Sequence, residues 1–259
     1  MTETLLKISD LSLSSDGTPV VEHVNLHVAP GEILCIVGES GSGKTSLLRG
    51  ICDAGEVQVD AGQISFYQEQ TECCTSNDRR KALGRGIGII MQNPSGTFNP
   101  LRRFDVQIRE MMNSHGMIYQ KEDVIGLFDQ MGLSNGEEIL TSRPYEMSGG
   151  MNQRIAIAST MLLEPKLLLC DEPTSALDVT SANLVVELLC RYRRKYNVGI
   201  LMVTHNLGIA YQMADTIGIM RGGRMVEYGA AQEIFHHPKE DYTKQLLNDV
   251  PKLAVCSNE

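Results

Sequence analysis

Apolar and polar positions alternate along residues 20–28, VVEHVNLHV: Val24, Leu26 and Val28 fall on one face, His23, Asn25 and His27 on the other. A period of two predicts a half-buried strand. His23 and His27 would lie about 13 Å apart along it, at roughly 3.3 Å per residue, too far to share one metal ion. From Gly31 the pattern changes. Residues 32–38, EILCIVG, are an apolar run of the kind expected of a strand buried on both faces. A glycine-rich turn follows, and then TSLLRGIC, which predicts a helix. Similar runs recur at 166–170 (KLLLC), 198–205 (VGILMVTH) and 216–222 (TIGIMRG), with helical patterns between the later ones. Buried strands alternating with helices predict an α/β fold with a largely parallel sheet and right-handed crossovers.

The middle of the chain has a different period. Residues 105–131 read as helical, and Val124, Leu127, Phe128 and Met131 make an i, i+3, i+4, i+7 stripe. Residues 97–162 are therefore expected to form a helical lobe inserted between two parts of the core, 1–96 and 163–224, with 225–259 as a C-terminal tail. Six of the 13 methionines fall between Met111 and Met151. They fit core packing, or a groove that adapts to a partner helix, because Met side chains repack easily.

Composition narrows the class. The chain has 259 residues, 42% of them apolar, enough for a sizeable core. The formal charge of −9 argues against a nucleic-acid binder held by bulk charge. No run of 18 apolar residues exists, and MTETLLKISD lacks a basic segment leading into an apolar one, which argues against a spanning helix and against export. The seven cysteines follow no regular framework and fit reduced thiols. Cys35 and Cys170 sit in apolar runs as small core residues, and the adjacent Cys73-Cys74 lacks zinc-site spacing.

Residues 38–45, GESGSGKT, match G-x-x-x-x-G-K-[ST], the phosphate loop. A chance match arises in roughly one chain of this length in a hundred. Here an apolar strand precedes it and a helix follows. The backbone from Gly38 through Glu39, Ser40, Gly41, Ser42 and Gly43, with Ser46 beyond, is expected to curl around a nucleotide's phosphates. Lys44 offers a point charge to them, and the Thr45 hydroxyl suits Mg²⁺. A second run, LLLCDE (167–172), ends in two carboxylates at the C-terminal end of a strand, where ligands bind in such sheets. Asp171 would hold Mg²⁺ through its water shell, and Glu172 would accept a proton from an attacking water. His205 ends another buried run and can contact a γ-phosphate. Gln92 follows IGIIM and can ligate Mg²⁺ or position water. By itself, such a histidine is more often a satisfied core residue, and a lone Gln is a weak signal.

The order GESGSGKT, Gln92, MSGGMNQR (147–154), LLLCDE, SALD (175–178), His205 resembles an ATP-binding cassette (ABC) transporter ATPase along essentially the whole chain. The resemblance implies a P-loop NTPase core with an N-terminal antiparallel β part and an inserted helical subdomain. It also implies that Ser148, Gly149 and Gly150, the family's signature before a helix, close on ATP held by another subunit, with Asp178 at that seam. Gln92 would couple the nucleotide to the helical lobe. The implied partners are a second ABC ATPase subunit, two transmembrane permeases and, indirectly, an extracytoplasmic solute-binding protein, on the cytoplasmic face of the membrane. The implied cofactors are ATP and Mg²⁺. MQNPSGTFNPL (91–101), RPYEMSGGMNQR (143–154) and HHPKEDYTKQLLNDVP (236–251) are similar to the dipeptide, oligopeptide and nickel importer branch, with IMQNP and EMSGGM closer to nickel members. His236-His237, followed by Pro238, fits a turn in that tail.

Three positions depart from the family pattern. Ser15 stands about where an adenine-stacking aromatic is usual. Such stacking is worth roughly 1–3 kcal/mol, or about ten- to hundredfold in affinity. Asn206 replaces an acidic residue after the histidine, and Asn93 a common Asp after Gln92. Two other readings carry weight. A catalytically silent regulatory cassette is disfavoured by Glu172 and His205. A soluble ABC ATPase of translation or DNA repair would have tandem cassettes or coiled-coil insertions, and this chain has neither. No N-K-x-D sequence suggests guanine readout.

Overall fold

A computed structural model describes residues 4–53, 56–68, 71–73, 83 and 86–248. Cys74, with the adjacent-cysteine question, and Cys256 lie outside the described residues, as do positions 249–251 of the tail segment. Strands β1 (Leu6–Ser15), β2 (Thr18–Val28), β4 (Gln58–Gln68) and β5 (Thr71–Cys73) form an antiparallel sheet in the order β2-β1-β4-β5. Asp16 and Gly17 join β1 to β2 with φ of 49° and 74°. Two successive residues at positive φ make the tight hairpin whose twist suits paired strands. The predicted alternation holds on β2, with Val24, Leu26 and Val28 buried and His23, Asn25 and His27 exposed.

The second sheet contains β3 (Ile33–Val37), β6 (Ile87–Ile90), β7 (Leu167–Asp171), β8 (Gly199–Thr204), β9 (Thr216–Arg221) and β10 (Arg224–Ala230), ordered β10-β9-β3-β8-β7-β6. All neighbours are parallel except β9 and β10. Every residue of β3 is buried, and the two faces enter different cores. Ile33, Cys35 and Val37 join the helices in one cluster, while Leu34 and Ile36 meet the antiparallel sheet in the other. β8 divides the same way, with Ile200 and Met202 on one side and Leu201 and Val203 on the other. Burying each such side chain contributes about 1.5–3 kcal/mol. Parallel pairing also sets the C-terminal ends of β9, β3, β8, β7 and β6 along one edge.

The stretch expected to be helical over 105–131 is two helices, α2 (Phe104–Ser114) and α3 (Lys121–Gln130). Gly116 lies at φ 70°, and the Met117 amide donates back to Met112 O. A left-handed glycine with a six-to-one hydrogen bond is a helix stop. The same device, Gly132 at φ 64° with Leu133 N donating to Phe128 O, ends α3. Val124, Phe128 and Met131 of the stripe are buried, with Leu127 packed against them. Helices α4 (Gly136–Thr141) and α5 (Gly149–Met161) lead into β7. Met112 and Met131 lie inside the core, and Met111, Met117, Met147 and Met151 pack on it, favouring the core reading of that methionine group.

Between β3 and β4 lies α1 (Lys44–Ile51); α6 (Val179–Tyr196) and α7 (Leu207–Met213) flank β8. From Arg224 to Asn248 the chain is folded. β10 pairs with β9, and α8 (Ala231–His236) and α9 (Asp241–Asn248) follow. His236 ends α8 and His237 caps it.

Candidate functional site

The phosphate loop leaves β3 at Val37 and enters α1 at Lys44. Two glycines are required by contact. A Cβ on Gly38 would lie 2.1 Å from Met220 O, and one on Gly43, already at φ 99°, would lie 2.6 Å from Val20 O. Lys44 is 6% exposed. Its ammonium donates to Gly38 O and Glu39 O, both at 2.8 Å, and to Ser42 Oγ at 3.1 Å. Burial holds its pKa below the ordinary lysine value, with Glu172, Asp171 and Glu39 pulling the other way. An arriving polyphosphate would supply anionic oxygens in place of these neutral ones.

Beside the loop is a cleft of about 650 Å³. Of the expected loop residues, Ser40, Gly41, Gly43, Lys44, Thr45 and Ser46 line it; Gly38 and Ser42 are buried beneath it, and Glu39 stands outside. Gln92, Glu172 and His205 line the opposite wall. Pro19, Val20, Gly222 and Gly223 also line it, and the sequence reading missed all four. The glycine pair in RGGR was a visible turn signal, but nothing local showed that the β9–β10 hairpin would face the loop. Ser15 is not on the cleft; its hydroxyl donates to Glu56 O at 3.2 Å.

Glu172 is the chemical centre of the far wall. His205 Nδ1 lies 2.8 Å from Oε1, and Gln92 Nε2 donates to Oε2 at 3.2 Å. Its backbone is at φ 44°, a conformation that costs a non-glycine residue about 1–2 kcal/mol. The strain is held by Glu172 N donating to Val203 O and by the Ser175 amide and hydroxyl donating to Glu172 O. A carboxylate so fixed, facing a phosphate cradle, can take a proton from water.

Asp171, one residue earlier on β7, is 3% exposed and accepts a hydrogen bond from Thr45 Oγ1 at 3.1 Å. Burial raises its pKa; the Thr45 hydrogen bond opposes the rise and Glu172 adds to it. The Thr45 hydroxyl, the Asp171 carboxylate and the Gln92 carboxamide offer oxygen donors only. That donor set fits a hard divalent cation such as Mg²⁺.

Ser148, Gly149 and Gly150 stand apart from this cleft. Ser148 caps α5 by accepting from Met151 N at 3.2 Å, and none of the three lines the cleft. Asp178 is likewise elsewhere, capping α6 through the Ser181 amide and hydroxyl at 2.9 and 2.8 Å, which hold its carboxyl below the usual range. Ser148 and Asp178 thus each cap a helix N-terminus that is separate from the loop. Gln153, five residues after Ser148 and 1% exposed, was also missed. Its Nε2 donates to Met91 O at 3.0 Å and Pro173 O at 3.2 Å, tying α5 to the residues flanking Gln92 and Glu172. Asn206 caps α7, its side chain accepting from Ile209 N at 3.2 Å, a bond that the acidic residue usual in the family would accept equally well.

A strand, a glycine loop and a helix, faced by an acidic strand end, define a P-loop nucleoside triphosphatase. Comparison with known proteins narrows this. The family described as ABC transporter matches residues 21–175. The oligopeptide transport ATP-binding protein OppD of Lactococcus lactis subsp. cremoris is 34% identical over 242 residues, 91% of this chain and 71% of that protein. The oligopeptide transport ATP-binding protein AppD of Bacillus subtilis is 35% identical over 258 residues, 96% of this chain and 79% of that protein. A solved structure described as the ATP binding subunit of an ABC transporter superposes with a TM-score of 0.77 at 25% identity, covering 93% of this chain and 97% of that one. The chain belongs to the ABC transporter family and is an ATP-binding, ATP-hydrolysing subunit of that family. Among the described residues, no helix is long and apolar enough to cross a membrane.

Proposed function

We propose that this subunit powers an importer, hydrolysing Mg-ATP at the cytoplasmic face of a membrane. Its partners are a second cassette, two transmembrane permeases and, through them, an extracytoplasmic solute-binding protein. Peptides are the cargo class that the names of the relatives support. Nickel or a metal chelate is the second cargo reading, resting on residues 91–101 and on EMSGGM. Uptake of a labelled dipeptide and of labelled nickel by cells lacking this subunit separates the two.

The observation that carries the mechanism is the Glu172 carboxylate held between His205 and Gln92 across from the phosphate loop. Lys44 and the loop amides bind the β- and γ-phosphates. Thr45, Asp171 and Gln92 would hold Mg²⁺, which when bound draws charge off the phosphate oxygens. Glu172 accepts a proton from the water that attacks the γ-phosphorus, and His205 keeps that carboxylate aimed at it. Ser148, Gly149 and Gly150 of a second cassette complete the γ-phosphate cradle, with Asp178 at the seam. Residues 97–162 then move as the lobe that transmits closure, and Gln92 links them to the nucleotide. ATP acts by binding the closed pair better than the open one. Glu172→Gln keeps the shape and removes the proton acceptor. ATP binding should persist while turnover falls by about two to four decades; near-normal turnover would remove Glu172 from this role.

A further inference from the structure

The C-terminal helix α9 touches the phosphate loop. β3 and β9 are parallel neighbours with Val37 opposite Ile219, so Glu39 and Arg221, each two residues further on, leave the sheet side by side. The two chain ends are in close contact, since a Cβ on Gly38 would strike Met220 O. Tyr242, in the first turn of α9, straddles them. The Arg221 guanidinium lies over its ring, 4.6 Å from the centroid, and its phenol oxygen accepts a hydrogen bond from Glu39 N at 3.3 Å. The helix is anchored from behind. The Glu227 carboxylate on β10 accepts from Lys239 N at 2.9 Å and Glu240 N at 3.3 Å, and Thr243 is fully buried.

The Glu39 carbonyl, on the next peptide unit, is held by Lys44, whose ammonium bonds Glu39 O, and by Ser42 N, which also donates to that oxygen. Glu39 is therefore fixed at its carbonyl by the loop itself and at its amide by the tail. When a polyphosphate draws Lys44 to its own oxygens, the carbonyl restraint weakens. The amide restraint is independent of the nucleotide.

We propose that Tyr242 is a positioning residue for the nucleotide site: its phenol fixes the first turn of the phosphate loop, so docking of the C-terminal helix sets how readily the loop receives a nucleotide. The proposal rests on the reading of residues 38–45 as the phosphate cradle. It makes the tail part of the nucleotide site, although among the described residues none of the tail lines the cleft.

The test is Tyr242→Phe in the full chain, which keeps the ring beneath Arg221 and removes only the phenol oxygen. Nucleotide is titrated by calorimetry with ATP and with ADP, and steady-state turnover is measured in the assembled transporter. Loss of one hydrogen bond that preorganises the loop should raise Kd for both nucleotides, and KM for ATP, by about 3- to 10-fold. The maximal rate should change less than about twofold, because the proton acceptor and its partners are untouched. Hydrogen exchange supplies a readout that a merely structural role would not move. The Glu39 amide should exchange faster in the variant while amides within α9 keep their protection. Tyr242→Ala, which also frees the ring contact, should add deprotection of α9 to the same loss of affinity. Equal affinity of Tyr242→Phe and the parent for both nucleotides overturns the proposal, as does unchanged exchange at Glu39. A parent chain that binds neither nucleotide would instead overturn the phosphate-cradle reading.

Discussion

Gly38→Ala tests whether the loop's glycines are demanded by packing or by backbone conformation. Gly38 is not at positive φ, so alanine there carries no left-handed penalty. Its Cβ would lie 2.1 Å from Met220 O and 2.8 Å from Ser42 Oγ, against a practical minimum of 3.0 Å. The serine oxygen sits on a side chain, but the Met220 carbonyl belongs to β9, paired to β10 at Met225 and to β3 beside it. The loop must therefore yield by about 0.9 Å, the difference between these limits. Overpacking of this kind costs about 1–3 kcal/mol, which in a chain of this size lowers Tm by about 3–10 °C. A 1 Å shift of positioned groups can also cost about a hundredfold in function, so nucleotide affinity should fall as well, by up to about that factor. Gly41→Ala is the contrast. Nothing lies within 4 Å of its Cβ, but φ is +81°, so the cost is strain alone, about 1–2 kcal/mol. Thermal melting and nucleotide titration read both variants. If Gly38→Ala melts within a degree of the parent and binds nucleotide within twofold, the carbonyl contact does not shape the loop.

Two other outcomes are expected. Ser148→Arg places a long cation on the exposed start of α5, away from the cleft. It should leave ATP binding to the single chain unchanged and suppress ATPase activity in the assembled transporter, and unaltered activity there would rule out a site shared between cassettes. Asp171→Asn tests the sign of a buried carboxylate. Burial raises its folded pKa above the unfolded value, so the folded state binds the proton more tightly, and stability is lost as pH rises from the ordinary carboxylate value through the raised one. The Tm of the variant minus that of the parent, without nucleotide, should therefore grow across that window and be positive at neutral pH. A flat difference from about pH 4 to pH 7 would contradict it.

Much of the site was legible because its chemistry is local. The loop's glycines, Lys44 and Thr45 are consecutive, and a carboxylate closing a buried run is visible at Asp171 and Glu172. Helix ends in the lobe were legible too, at Gly116 and Gly132, yet the apolar stripe of α3 made the stretch read as continuous. Long-range contacts left no such trace. Gln153 looks like one more polar residue of MSGGMNQR until its amide is found between Met91 O and Pro173 O. Tyr242 looks like part of a polar tail until its hydroxyl meets Glu39 N.

The order of residues alone determined that this chain binds a nucleotide's phosphates, since a motif within eight positions needs only the strand before it and the helix after it. It also determined the doubly buried strands, because a run without polar breaks has nowhere to go but the middle of a layered sheet. Only the tertiary structure decided which separate strand ends share a wall. Gln92, Glu172 and His205 come from β6, β7 and β8 and meet because parallel pairing aligns those ends. The fold likewise left Ser148 and Asp178 off the lining of that cleft, since each lies at the start of a helix whose position follows from packing, on which the local sequence is silent.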